Sequence, residues 1–315
     1  MTEWMEMDRP RMVILLGPTG VGKSKSAIAL AEQLEGEIIN ADSMQVYRFM
    51  DIGTAKPTSE EQRRVKHHLI DLVNPDQPFN AALYRTLGRR AADQLHQEGR
   101  PVFVTGGTGL YIRALTQGLF RSPPVDPGVR KRLKHEAEER GKGFLFERLK
   151  EVDPKTSQHI HPHDLFRVIR ALEVFESTGT PLSFFHEQHR FGERPYLTLK
   201  VGLETDRKEL YYRIDERVDR MIERGLLEEV RGLLRMGYGP ELKPMRSLGY
   251  KQMVQFLFNQ IGWEEAVRQM KRDTRHYARR QWTWFKADPE VHWYEESSDR
   301  KRILSEVKSF LEERG

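Results

Sequence analysis

The sequence predicts an α/β fold in which a mainly parallel sheet is flanked by helices and interrupted by a helical insertion. Short apolar runs alternate with helical patterns over residues 1–120, and this alternation is typical of a parallel sheet with helical crossovers. The residue pattern changes near residue 121, where three prolines precede a charged helical stretch. A pattern typical of a strand returns near residue 196. We therefore expect two domains: a core of residues 1–120 and 196–315 with C-terminal helices, and a helical insertion of residues 121–195.

The first predicted strand, Met12–Leu16, leads directly into a phosphate-binding motif. The motif G-x-x-x-x-G-K-[ST] is complete in Gly17, Pro18, Thr19, Gly20, Val21, Gly22, Lys23 and Ser24. Its glycines let backbone N–H groups point at phosphate oxygens, Lys23 adds a positive charge, and the Ser24 hydroxyl can bind Mg²⁺. A helical pattern with a buried face follows and ends near Gly36. The sequence therefore predicts a P-loop NTPase-like core, a phosphate compound as substrate and Mg²⁺ as cofactor.

Two polar residues follow the next predicted strands of the sheet. Asp42 comes after the strand Glu37–Ala41, and Thr108 follows the strand Pro101–Thr105 in a glycine-rich turn. Because ligands bind at the carboxyl ends of strands in open α/β sheets, both side chains are expected near the phosphate loop. Asp42 could hold Mg²⁺ through water, accept a proton from a nucleophile, or only stabilise a turn. The Thr108 hydroxyl could face the crevice or cap the following helix.

Two helical segments carry arginine-rich faces that suit a nucleic acid. The insertion contains a predicted helix from Asp164 to Ser177, with Asp164 as its N-cap and Gly179 with Pro181 as its stop. Arg167 and Arg170 lie opposite the apolar stripe of this helix. Near the C-terminus, a second basic stripe with only Asp273 opposing it precedes several aromatic side chains: Arg268, Arg272, Arg275, Arg279, then Trp282, Trp284 and Phe285. Such stripes suit an RNA backbone and unstacked bases, although a solvated helix followed by aromatic side chains in the core would explain the same residues.

Composition excludes several classes of protein. The chain of 315 residues has no cysteine, which rules out disulfides, thiolate zinc sites and cysteine nucleophiles. No apolar run reaches the length of a membrane span, so we expect a cytoplasmic protein with no membrane partner. The formal net charge is +5 with 31% charged residues, which is compatible with a polyanionic partner. No heptad pattern marks an interface, and we expect a monomer.

Further motifs follow the phosphate loop in a fixed order. They are D-S-x-Q-x-Y at 42–47, G-T-A-K-P at 53–57, H-H-L-I-D at 67–71, G-G-T-G-L-Y at 106–111, R-V-I-R-A-L-E at 167–173, L-G-Y at 248–250 and R-Q-x-T-W-F at 280–285. The series resembles the bacterial tRNA dimethylallyltransferases from about residue 10 to about residue 286. Eukaryotic relatives add a zinc finger, and the lack of cysteine matches the bacterial form.

The resemblance implies a reaction and roles for particular residues. The expected reaction transfers a dimethylallyl group from dimethylallyl diphosphate to N6 of adenosine-37 in the anticodon stem-loop of tRNAs reading codons that begin with U. It uses Mg²⁺ and no ATP hydrolysis. Asp42 would be the general base and Thr108 would orient the amine. The residues expected to contact tRNA are Asp42, Ser43, Met44, Gln45, Thr108, Arg130, Arg167, Arg170, Arg246, Arg275 and Arg279.

Two arginines one helical turn apart, Arg213 and Arg217, lie where relatives use arginine on the diphosphate. Ordinary salt bridges to Asp215, Glu216 and Asp219 on a solvated helix are the alternative.

Three rival functions fit part of the sequence. A prenyltransferase acting on free AMP or ADP would share the donor site, and a small-molecule or nucleotide kinase would use the same phosphate loop and Asp42. A nucleotide-gated RNA-binding switch is the third, but its guanine-specific form carries an Asn/Thr-Lys-x-Asp motif that is absent from this chain.

Overall fold

The structure, a computed structural model, describes residues 9–120 and 126–313. Its centre is a sheet of six strands in the order β3-β2-β4-β1-β5-β6, and every neighbouring pair is parallel. This confirms the predicted α/β class. The strands are β1 (Arg11–Leu16), β2 (Glu37–Asn40), β3 (His67–His68), β4 (Val102–Thr105), β5 (Leu197–Glu204) and β6 (Val291–Glu295).

Helices connect the strands and cover the sheet. In the first part of the chain they are α1 (Lys23–Gln33), α2 (Ser59–Arg64), α3 (Ala81–Gln97) and α4 (Gly109–Gln117). The insertion contributes α5 (Pro127–Arg140), α6 (Lys142–Val152), α7 (Pro154–Ser157), α8 (Leu165–Thr178) and α9 (Leu182–His189). The remaining helices are α10 (Arg207–Glu223), α11 (Leu226–Arg235), α12 (Tyr250–Leu257), α13 (Trp263–Lys286) and α14 (Arg300–Glu312), with a 3₁₀ turn at Pro244–Arg246.

The central strand β1 is covered on both faces. Successive side chains of a strand point to opposite faces. Accordingly, Met12 and Ile14 join one apolar cluster, whereas Val13 and Leu15 join another. All four side chains are fully buried. A strand buried in this way reads as a continuous apolar run rather than an alternating one, which is the pattern of residues 12–16.

The strand register places three loops at one edge of the sheet. Thr105, the last residue of β4, pairs with Leu15 of β1 and with Asn40, the last residue of β2. The loops that begin at Gly17, Ala41 and Gly106 therefore leave the sheet side by side. These loops contain the phosphate-binding motif, Asp42 and Thr108.

The chain divides into two compact units, one of residues 1–116 and 194–315 and the other of residues 117–193. The predicted boundary at residue 121 lies outside the described residues. The second unit has its own apolar core, formed by Leu133, Leu145, Leu149, Val168 and Leu172 among others.

Helix α8 begins and ends close to its predicted limits. The Asp164 carboxylate accepts the backbone N–H of Arg167 at 3.2 Å, and Gly179 ends the helix with a φ of 69°. The predicted N-cap and stop are both confirmed. In the part of the chain that the structure describes, no helix is long and apolar enough to cross a membrane.

Candidate active site

The phosphate loop forms the first part of the site. Gly17, Gly20 and Gly22 have φ values of 140°, 86° and 108°, a region that side chains with a Cβ atom rarely adopt. Helix α1 then starts at Lys23, so the N–H groups of its first turn face the loop. This is the conformation that the motif predicts for anion binding.

Lys23 lies at the bottom of this loop. Its Nζ donates to the carbonyl oxygen of Pro18 at 2.8 Å, and the residue is only 9% exposed. Burial and, to a smaller extent, the Arg217 charge lower the pKa of Lys23 from 10.5 to about 7, against the opposing effect of the Asp42 charge. An anion at this position would replace the missing hydration of the ammonium group and favour its charged form.

Asp42 and Thr108 come together across the edge of the sheet. One carboxylate oxygen of Asp42, Oδ1, accepts the backbone N–H of Met44 at 2.8 Å and that of Gln45 at 3.4 Å. The Thr108 hydroxyl accepts the N–H of Ser43 at 3.0 Å. Asp42 thus stabilises a turn with Oδ1, and Thr108 uses its hydroxyl to hold the Asp42 loop. The turn fixes the orientation of the Asp42 carboxylate.

Two cavities meet at Asp42. The phosphate cavity, of about 470 Å³, is lined by the phosphate loop, Gln45 and Arg213. The second cavity, of about 530 Å³, is lined by Ser43, Met44, Arg246, Lys251 and Arg280 among others. The residues that line both are Thr19, Asp42, Thr54, Arg217, Met221 and Tyr277. A group bound in one cavity can therefore meet a group bound in the other beside the Asp42 carboxylate.

Arg213 and Arg217 have different surroundings. Arg213 donates to Glu209 at 2.7 Å and to Glu296 at 3.3 Å. Arg217 has no carboxylate partner among the described residues and lines both cavities. Burial lowers the pKa of Arg217, and the Asp42 charge partly offsets this. The salt-bridge alternative thus holds for Arg213, with partners other than those predicted, whereas Arg217 presents a partly desolvated cation to the crevice.

The residues of the phosphate cavity fit a magnesium ion. Ser24 is exposed in this cavity and Asp42 lines it as well. Within residues 9–120 and 126–313 no group of three or more acidic, histidine or cysteine side chains could hold a metal alone. Magnesium is commonly held by one or two protein oxygens, with substrate phosphates and water as the other ligands. Ser24 and Asp42 match that donor set.

The arginines of α13 expected to contact RNA are not equivalent. Arg275 pairs with Asp215 of α10 at 2.6 Å and Arg268 pairs with Glu265, so the prediction that only Asp273 opposes this stripe was wrong. Asp215 lies on another helix and is invisible in the stripe itself, whereas Glu265 lies three residues before Arg268 on α13. Arg279 is exposed and has no ion pair among the described residues. Arg246 lies in the 3₁₀ turn and lines the second cavity.

The aromatic side chains that follow are divided between core and surface. Phe285 is buried, Trp282 packs against Trp293 with ring centroids 5.3 Å apart, and Trp284 is 45% exposed. Core packing therefore accounts for Phe285 and the contact of Trp282, whereas the Trp284 side chain remains at the surface.

The arginines of the insertion share one buried carboxylate. Arg130 and Arg170 both donate to Glu173, at 2.7 and 2.8 Å, and Glu173 is 2% exposed. Arg167 is far more exposed and pairs with Asp164 at 2.8 Å. Of the three, Arg167 presents its guanidinium most openly to solvent. Arg167 and Arg170 therefore do not form one free pair as predicted, because Arg170 shares the Glu173 carboxylate with Arg130.

Tyr277 and Gln281, one turn apart on α13, were not predicted to belong to the site. Burial raises the pKa of Tyr277, and the nearby Asp42 carboxylate raises it further. Gln281 is 6% exposed and accepts the N–H of Thr19 in the phosphate loop at 2.8 Å. Their four-residue spacing places both on one helical face, and Gln281 also belongs to the R-Q-x-T-W-F motif at 280–285.

Comparison with known proteins agrees with this geometry. A family model described as IPP transferase matches residues 45–288. The chain belongs to the IPP transferase family. Among relatives of this IPP transferase, the tRNA dimethylallyltransferase of Desulfosudis oleivorans is 52% identical over 96% of both chains. That of Geobacter metallireducens is 51% identical over 97% of this chain and 99% of the relative.

Solved structures support the same assignment. The tRNA isopentenylpyrophosphate transferase of Bacillus halodurans superposes with a TM-score of 0.73 at 37% identity, covering 97% of this chain and 98% of that one. A eukaryotic dimethylallyltransferase acting on tRNA gives a TM-score of 0.80 at 27% identity, covering 97% of this chain and 80% of that one. The family predicted from the ordered motifs is confirmed.

Proposed function

We propose that this IPP transferase is a tRNA dimethylallyltransferase that prenylates N6 of adenosine-37 in the anticodon loop. Relatives named for this activity are about half identical to the chain over nearly its full length. The observation that carries the finer assignment is the junction of two cavities at Asp42, one with a phosphate loop and the other with basic side chains. We assign the donor diphosphate to the phosphate cavity and the adenine to the second cavity.

The reaction replaces one bond to the prenyl carbon with another. The bond between C1 of the dimethylallyl group and the diphosphate oxygen breaks, and a bond between C1 and N6 forms. Diphosphate leaves with the electron pair of the broken bond. The phosphate loop, Lys23 and Arg217 stabilise the charge that develops on it, since preorganised donors and cations act most strongly in a site shielded from water.

Asp42 receives the proton that the amine must lose. An exocyclic amine becomes acidic as the new C–N bond forms, and a positioned carboxylate removes its proton. The Oδ1 hydrogen bonds to the Met44 and Gln45 N–H groups fix the carboxylate, while Oδ2 has no hydrogen bond among the described residues. Thr108 can orient the amine by accepting one of its N–H groups, because the contact with Ser43 uses only one of the two lone pairs of the hydroxyl oxygen.

Ser24 and Asp42 are the residues that would hold Mg²⁺ beside the diphosphate. When bound, the ion would supply Lewis-acid neutralisation of the leaving group.

The RNA surface is assigned to side chains whose charge is still accessible. In the core unit these are Arg246 and Arg280 at the second cavity and Arg279 on α13. In the insertion, taken by itself, Arg167 is a separate candidate contact. A base inside a folded anticodon loop must leave its stack to enter the second cavity. A recognition surface for the surrounding loop is therefore required, and a free nucleotide would not need one. This favours tRNA over AMP or ADP as acceptor.

The test is to incubate the purified protein with Mg²⁺, dimethylallyl diphosphate and unmodified tRNA, and to analyse the digested nucleosides by mass spectrometry. A prenylated adenosine, absent when tRNA is replaced by AMP or when the donor is omitted, is the expected result. Efficient prenylation of AMP with no product on tRNA would instead identify an adenylate prenyltransferase. Turnover of ATP with either acceptor would identify a kinase.

A further inference from the structure

Gln281 connects the loop that holds the donor to the loop that carries Thr108. Its side-chain oxygen accepts the N–H of Thr19 in the phosphate loop at 2.8 Å. Its side-chain nitrogen donates to the carbonyl oxygen of Gly107 at 2.9 Å. A single amide, 6% exposed, thus joins two loops that leave different strands of the sheet.

The connection extends to the general base through adjacent residues. Gly107 precedes Thr108, whose hydroxyl accepts the N–H of Ser43 at 3.0 Å, and Ser43 follows Asp42. The order of contacts is phosphate loop, Gln281, Gly107, Thr108 and the Asp42 loop. Each contact is a hydrogen bond or a peptide bond, so a shift of the Gln281 amide changes the spacing between the two halves of the site.

The Gln281 amide packs closely against Gly107. A Cβ atom placed on Gly107 would lie 2.1 Å from the side-chain nitrogen of Gln281. The glycine therefore permits the close approach of the amide to the Gly107 carbonyl group. A side chain that only filled space at position 281 could match its volume but could satisfy neither the Thr19 N–H nor the Gly107 oxygen.

We infer that Gln281 is a positioning residue that sets the distance between the bound diphosphate and the attacking amine. This inference rests on the proposed function. Gln281 lines the phosphate cavity, and we assign its effect to the two loops that it joins. A displacement of about 1 Å at a reacting centre costs about 10²-fold in rate, so loss of this bridge should lower kcat and leave substrate binding nearly intact.

The experiment compares Gln281→Met with the wild-type protein by single-turnover and steady-state kinetics. The variant keeps the side-chain length and removes both hydrogen bonds. We expect kcat to fall by about 10- to 100-fold, with the KM for dimethylallyl diphosphate and for tRNA within about threefold of the wild-type values. The matched control is Gln269→Met, which removes an amide from the same helix where it bonds only to Glu265, and this variant should keep wild-type kcat.

A double-mutant cycle with Thr108→Ala separates positioning from general stability. If Gln281 acts through the Gly107–Thr108 loop, the two kcat losses will be less than additive, because each removes the same alignment. If Gln281→Met does not fold, Gly107→Ala carries the same expectation, since its new Cβ displaces the amide without removing it.

Unchanged kcat in a folded variant would overturn the inference. So would independent, fully additive losses with Thr108→Ala, or a rise confined to the KM for the diphosphate. A failure of the proposed function would look different, because the wild-type protein itself would then form no prenylated adenosine.

Discussion

Capture of the diphosphate donor should weaken as the pH rises above about 7, because Lys23 then loses its proton. Burial lowers the pKa of this lysine from 10.5 to about 7, and the neighbouring Arg217 charge contributes in the same direction. Only the ammonium form can neutralise phosphate oxygens. Each pH unit above the pKa lowers the protonated fraction about tenfold, so kcat/KM for dimethylallyl diphosphate at pH 9 should be roughly 100-fold below its plateau.

The same shift acts on stability with the opposite sign. Between about pH 7 and pH 10.5 the unfolded chain holds a proton on Lys23 that the folded protein has released. Stability rises with pH wherever the unfolded state binds more protons. The contribution of Lys23 to the free energy of unfolding therefore increases over the range in which donor capture declines, and general denaturation does not explain the loss of activity.

The assay measures kcat/KM for dimethylallyl diphosphate at saturating tRNA between about pH 6 and about pH 9. Lys23→Arg is the control, because a guanidinium stays charged over this range and the activity that remains should not decline with the same pKa. A wild-type profile that stays flat to pH 9 would refute the reasoning.

Three further predictions concern the remaining parts of the site. Asp42→Ala should lose about 10²-fold in single-turnover rate, the usual effect of removing a positioned base, with tRNA affinity by filter binding retained; unchanged turnover would remove Asp42 from the mechanism. Arg217→Gln should raise the KM for dimethylallyl diphosphate more than Arg213→Gln, because carboxylates already hold Arg213, and equal effects would contradict this difference. Gly106→Ala should destabilise the fold by about 1–3 kcal/mol, since its Cβ would lie 2.2 Å from a backbone oxygen. The control Gly232→Ala places its Cβ in open space on a helix and should stabilise the fold by about 0.5–1 kcal/mol. Denaturant unfolding measures the stability of the two variants, and equal unfolding midpoints would show that the contact at Gly106 carries no cost.

The local features of the site could be predicted from the sequence because each depends on a short segment. The phosphate loop needs glycines at fixed spacing, and Asp42 and Thr108 follow apolar strands that must end at one edge of a parallel sheet. The cap of α8 by Asp164 was likewise predicted from neighbouring residues, and the structure confirms it.

The features that were missed depend on contacts between distant segments. Glu296 lies 83 residues from its partner Arg213, and Asp215 lies 60 residues from Arg275. Charge patterns along one helix reveal neither partner. Gln281 lies 262 residues from Thr19, and only the folded sheet brings α13 to the phosphate loop. The sequence thus locates the reacting groups better than it identifies the residues that hold them in position.

The most direct test of the account is a crystal structure of the protein with an anticodon stem-loop and a non-reactive thiodiphosphate analogue of the donor. We predict the analogue in the phosphate cavity, adenosine-37 turned out of its stack into the second cavity, and N6 within about 2.6–3.2 Å of the Asp42 carboxylate, the reach of a general base. An adenine bound away from Asp42, or a diphosphate outside the phosphate loop, would contradict the central claim that the two substrates meet at this residue.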